Sequence, residues 1–377
     1  MDLLSAVRRA RLSSVLAAVL AGGAALQSGC MSEPPPAAAP SASPAESRAL
    51  LERLLPESVR DRQGWTTDIY AGFAVQSIDP TRQNICAVLA VIEQESGFRV
   101  NPAIPGLGTM AWKEIDSRAE HAGVPRMVVH GALQLSSRTG RSYSERIDAA
   151  KTEKDLSDIY EDFIGAVPLG KRLFEDRNPV RTRGPMQVNI AYATQYAAAR
   201  PYPYPVKLSI ADELFSRRGG LYFGIAHLLA YPAPYDRYLY RFADFNAGQY
   251  SSRNAAFQAA VTVISGIPLT RDGALLPHDT TASDAGSTEM ALRAVAARLH
   301  LSEREIHGAL EEERAKEFER TQLYRSVFDL ADRTRRTPLP RAVVPRIDLH
   351  GPKISRKLTT AWYADRVNGR FERCEQK

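Results

Sequence analysis

Ile85-Cys86-Ala87-Val88-Leu89-Ala90-Val91-Ile92-Glu93-Gln94-Glu95-Ser96-Gly97-Phe98 is the stretch on which the reading of this chain turns. Val88, Val91 and Ile92 precede Glu95 by seven, four and three residues, the spacings that share one face of a helix. The apolar face of that helix therefore ends in a carboxylate, and Gly97 lets the chain turn away. A carboxyl partly stripped of water has its charged form disfavoured, which makes a general acid able to act near neutral pH. The bland alternative is a helix-end Glu pointing into solvent, the commoner fate of this residue type. Two remote segments bear on the choice.

The first is Gly184-Pro185-Met186-Gln187-Val188-Asn189. The second is Ala243-Asp244-Phe245-Asn246-Ala247-Gly248-Gln249-Tyr250, after a helix predicted over Gly220–Leu229. With Glu95-Ser96, and in this order, they resemble the lysozyme-like lytic transglycosylases of bacterial cell walls, whose pattern is Glu-Ser, Gly-Leu-Met-Gln, then Tyr-Asn-Ala-Gly. The resemblance covers roughly 83–109 and 183–258. It implies a mainly α fold, a lysozyme-like transglycosylase core, and no cofactor. It also implies that Glu95 is the catalytic acid, that Ser96 bonds around it or to the substrate's N-acetyl group, and that Met186 desolvates it. Gln187 and Asn246 would meet the glycan. Two positions depart from the pattern. Pro185 replaces Leu, and Phe245 replaces the Tyr whose hydroxyl would lie near the scissile bond; Tyr250 is a candidate substitute. The whole chain is also similar to a group of uncharacterised proteobacterial lipoproteins of unknown function.

Cleaving a glycosidic bond requires a proton on the leaving oxygen and support for an oxocarbenium-like carbon. The resemblance implies that one carboxyl does both jobs, with the sugar's own 6-hydroxyl closing a 1,6-anhydro-muramyl end. Glu93 lies on another helix face; Glu114, Asp116 and Asp244 are candidate partners, each read first as structural or solvated. The alternative function is a non-catalytic peptidoglycan-binding or scaffolding lipoprotein with a degenerate lysozyme-like fold. A hydrolytic lysozyme would need a second carboxylate or a positioned water facing Glu95.

The N-terminus carries Arg8, Arg9 and Arg11, an apolar stretch Leu12–Leu26, then Gln27-Ser28-Gly29-Cys30. Basic residues, a short apolar run and small residues before a cut mark a secretory signal over 1–29. Cys30 after Ser-Gly resembles a lipobox, with Gln27 where Leu is usual. Acyl chains on Cys30 would anchor the chain through about 0.8 kcal/mol per buried methylene; plain secretion with a free Cys30 is the alternative. Met31 resembles an outer-membrane sorting signal, which places the domain in the periplasm. Residues 30–46, rich in Pro, Ala and Ser, read as a tether.

Cys86 and Cys374 either pair in an oxidising periplasm or stand as unrelated thiols. His-Glu-x-x-His and Cys-x-x-Cys are absent, so no metal is expected. Of the net charge of +6, Asp2 against Arg8, Arg9 and Arg11 leaves +2 in the signal. The remaining Arg are scattered, which argues against nucleic acid and fits weak attraction to an acidic wall polymer. The expected partners are peptidoglycan glycan strands and a membrane reached through the lipid anchor.

The lysozyme-like domain is expected over 47–266, with a helical insertion at 111–181 marked by Ile147, Leu156, Ile159, Tyr160, Phe163 and Ile164. A helical C-terminal region follows over 287–377. There the capping box Ser302-Glu303-Arg304-Glu305 predicts a charged helix reaching Asp332. A last helix at 358–371 presents Trp362 and Tyr363 on a packing face.

Overall fold

Ser43 opens the first helix, Pro44–Leu54. Its hydroxyl accepts the Glu46 N–H, and the Glu46 carboxylate accepts the Ser43 N–H in return. This computed structural model of the protein describes residues 42–167, 172, 177–277, 286–349 and 357–377. The signal, Cys30 and the tether to residue 41 lie outside the described residues. Residues 44–46, read as tether, belong to the helix because the capping pattern starts it before Ser47.

The Glu95 helix spans Arg82–Glu95, with the Thr81 hydroxyl accepting the Asn84 N–H. Every residue from Ile85 to Ile92 is buried. A helix apolar all round needs neighbours on every side, and Pro44–Leu54, Arg217–Leu229 and Thr360–Glu375 pack around it. Each buried Ile, Val or Leu contributes about 1.5–3 kcal/mol, against about 1 kcal/mol for a cap. Packing therefore holds this helix. Arg62–Val75 and Tyr238–Ala247 complete the main core.

The segment expected as a helical insertion over 111–181 is helical, its first helix starting already at Leu107. Its helices are Leu107–His121, Arg126–Leu133, Tyr143–Asp148 and Glu153–Ala166. They enclose a small cluster of their own around Leu133, Tyr143, Ile147 and Ile159.

A second large core gathers Ser251–Ser265, Ser287–Arg293, Glu303–Glu311 and Gln322–Arg335 around Phe257, Phe318 and Phe328. The Ser302 capping box forms, but the single helix expected to Asp332 does not. Glu313 turns its carboxylate inward to accept the Leu275 and Leu276 N–H groups at 2.6 and 3.2 Å. The chain continues as 3-10 turns, and Thr321 caps a fresh helix at Gln322. The stretch 287–377 is likewise divided. Its first part fills the second core, while Thr360–Glu375 returns to the main one. Two short antiparallel pairs, Thr182–Arg183 with Val188–Asn189 and Asp348–Leu349 with Leu358–Thr359, are the strands among the described residues. The fold is mainly α.

Candidate functional site

Gly220 and Gly224, one turn apart on Arg217–Leu229, form a shallow track for the Pro185-Met186 turn. A Cβ on Gly220 would come within 2.4 Å of Pro185 Cδ, and one on Gly224 within 2.3 Å of Met186 Sδ. Seated there, the hairpin presents Gln187 at its tip with φ of 50°. The Gln187 amide is well occupied. Its Oε1 accepts from the Thr182 hydroxyl at 2.9 Å, and its Nε2 donates to the Glu153 carboxylate at 3.1 Å and the Gly184 carbonyl at 3.3 Å. Glu153 opens the helix Glu153–Ala166, which therefore reaches the site.

The second turn ends the helix Tyr238–Ala247 at Gly248, whose φ of 114° few side chains tolerate. Asp244 holds this turn together. Its fully buried carboxylate accepts from the Tyr231 and Tyr235 hydroxyls at 3.0 and 2.7 Å, and from the Tyr250 and Ser252 N–H groups at 3.0 and 2.6 Å. Burial raises its pKa to about 6, with those hydrogen bonds opposing. His227 packs between Tyr192 and Phe245, ring centroids 4.4 and 4.9 Å away, and its Nε2 meets the Phe245 carbonyl at 3.2 Å. Burial holds its pKa down to about 4, so the ring is neutral and Nε2 is the donor.

Glu95, Gln187, Phe245, Asn246 and Tyr250 line one cleft of about 1120 Å³. Three chain-distant segments thus meet in one place. Ser96 and Met186 do not line it. The Ser96 hydroxyl is buried and donates to the Ile92 carbonyl at 3.1 Å, and Met186 lies wholly in the core beneath Gln187. Tyr250 lines the cleft, and its hydroxyl donates to the Pro232 carbonyl at 3.2 Å. Tyr363 brings a second phenol to the cleft. Its hydroxyl donates to Glu95 Oε1 at 2.5 Å, beside the same cleft. Three residues earlier on that helix, the Thr360 hydroxyl donates to Asn246 Oδ1 at 2.9 Å.

The other carboxylates sort by their partners. Glu93 pairs with Arg370 at 3.3 Å, Glu114 with Arg118 at 2.7 Å, and Asp116 with His130 at 2.8 Å. Glu313 and Glu317 line the cleft's far wall. That wall is tied down by Arg253, which donates to the Glu313 and Ala315 carbonyls between the rings of Tyr250 and Phe318. Among the described residues, no group of three or more His, Cys, Asp or Glu could hold a metal. No described helix is long and apolar enough to cross a membrane. Cys86 and Cys374 are joined as a disulfide, with Cα atoms 5.5 Å apart.

Sequence reasoning missed Tyr363, Thr360, His227 and the wall at 313–317. For Tyr363 a signal existed. Glu95 lies nine residues after Cys86 and Tyr363 eleven before Cys374, about 14 and 16 Å along their helices. Antiparallel helices joined through those cysteines bring the other two residues together.

Compared with known proteins, residues 58–377 match the model of DUF1615, described as a protein of unknown function. The chain is 47% identical over 346 residues to the uncharacterized protein YaiW of Escherichia coli K12, covering 92% of this chain and 94% of that one. No solved structure matches it. By the family match and by this identity over nearly its full length, the chain belongs to the DUF1615 family.

Proposed function

We propose that this protein is a peptidoglycan lytic transglycosylase with a lysozyme-like core, cutting the MurNAc–GlcNAc bond through Glu95 alone. The supporting observation is the convergence of Glu95, Gln187 and Asn246 on one cleft large enough for several sugar units. Glu95 is half-buried at the end of an apolar helix, a setting suited to proton donation. The acid passes its proton to the leaving oxygen as the bond to the muramyl anomeric carbon breaks. The resulting carboxylate then takes the proton of that sugar's 6-hydroxyl as its oxygen closes on the anomeric carbon. No water is consumed, and the carboxyl ends in its starting state.

A second reading, a wall-binding protein without activity, is favoured by the Gln187 amide being occupied by Glu153, Thr182 and Gly184. One experiment separates these readings. The protein and its Glu95→Gln variant are incubated with purified sacculi, and the fragments are weighed. Anhydro-muramyl ends from wild type alone support the lyase, reducing ends support hydrolysis, and pelleting without fragments supports binding. Lipid anchoring at Cys30 in the outer membrane is part of the same proposal. It predicts an acylated N-terminal peptide that Cys30→Ala loses.

A further inference from the structure

The helix Thr360–Glu375 lies outside every motif, yet its first turn hydrogen-bonds two of the candidate site residues, Asn246 and Glu95. Thr359 caps it by accepting the Trp362 N–H, which sets the register. Thr360 and Tyr363 then share one face, the first donating to Asn246 and the second to Glu95. Both are buried, with exposures of 0% and 6%. At its other end the helix is joined through Cys374 to Cys86 on the Glu95 helix. Two helices linked at one end and hydrogen-bonded at the other cannot slide past each other without breaking a bond.

We infer that Tyr363 is a positioning residue for Glu95, occupying Oε1 as an acceptor so that the transferable proton is carried by the other carboxyl oxygen. The inference rests on the reading of Glu95 as a proton donor. A carboxylic acid bears its proton on one oxygen, and a donor aimed at the other selects which. The phenol keeps its own proton throughout, because burial first and the adjacent carboxylate second push its pKa well above the usual range. It therefore remains a donor when Glu95 gives up its proton, and the carboxylate formed keeps a charge-assisted hydrogen bond. Thr360 acts in parallel on Asn246, fixing the amide oxygen and leaving the Nδ2 donors for a ligand.

The test uses the full chain carrying Tyr363→Phe, which removes one oxygen from an otherwise retained ring. Two readouts are taken: the carbon-13 titration of the Glu95 carboxyl, assigned by its loss in Glu95→Gln, and sacculus digestion. Loss of a donor disfavours the carboxylate. The Glu95 midpoint should rise by about one pH unit, and the alkaline limb of activity with it. The rate constant kcat should fall about tenfold with KM unchanged. Should the variant fail to fold, 3-fluorotyrosine at 363, a stronger donor, should move the midpoint the opposite way. A midpoint unmoved by either change overturns the inference. If wild type releases no fragments, the enzyme reading fails, and the titration still decides the role of Tyr363. If wild type cuts and Tyr363→Phe cuts with the same kcat and pH profile, the inference fails while the enzyme reading stands.

Discussion

Met186 lies against Gly224 so closely that a single added carbon on the glycine would come within 2.3 Å of its sulfur. The contact seats the hairpin that carries Gln187, so a residue in the core sets the position of one in the cleft. Gly224→Ala should push Met186 off its track and destabilise the protein by about 1–3 kcal/mol, the usual range for overpacking. Met is adaptable, so the fold should survive. Denaturant unfolding gives the stability. An unchanged midpoint would mean that the hairpin is held by other contacts.

Asp244 collects donors from two phenols and two backbone amides. Asp244→Asn keeps the shape but turns N–H groups toward some of those donors. A loss of about 2–3 kcal/mol is expected from leaving buried donors unmet. The same change should speed amide exchange at Tyr250 and Ser252. Exchange at wild-type rates would show that the turn does not depend on this carboxylate.

The Cys86–Cys374 link closes a loop spanning 288 residues. Long loops gain most from closure, and removing a native disulfide typically costs about 2–5 kcal/mol. The Cys86→Ser, Cys374→Ser double variant should unfold at a lower temperature than oxidised wild type. Exchange should rise first in Thr360–Glu375. Melting curves that superimpose would rule out a stabilising role.

His227 and Asp244 give stability opposite pH slopes. For His227 the folded pKa is about 4 against an ordinary 6.5. Its contribution is whole above about 6.5 and is lost as pH falls toward 4, by up to ~1.4 kcal/mol per pH unit. For Asp244 the folded pKa is about 6 against 3.8. Its contribution is whole below 3.8 and is lost as pH rises through 6. The two largely offset each other between pH 4 and 6. His227→Gln removes one of them, so the variant should gain stability relative to wild type as pH falls across that window. Parallel stability curves would refute the assignment.

The Glu95 helix, its apolar face and the Ser302 capping box were legible in the sequence because each is settled within a few residues. The convergence of Glu95, Gln187 and Asn246 was legible only as an ordered set of short motifs. Ser96 was expected to bond around the acid or the glycan, yet its hydroxyl turns to the Ile92 carbonyl, and Met186 lies in the core. Residue type alone does not say which way a side chain points. The predicted single helix to Asp332 failed at Glu313, whose carboxylate answers the amides of Leu275 and Leu276.

By itself, the sequence determined where helices start, which faces are apolar, and that a carboxylate ends one with an unbroken apolar run from Ile85 to Ile92. Tertiary structure decided that carboxylate's surroundings: the phenol of Tyr363, 268 residues away, and a cleft wall from the second core. Caps and periodicity act over one or two turns of backbone. The partner of Glu95 depends on how separate helices stack and which cysteines join, and no local pattern encodes that.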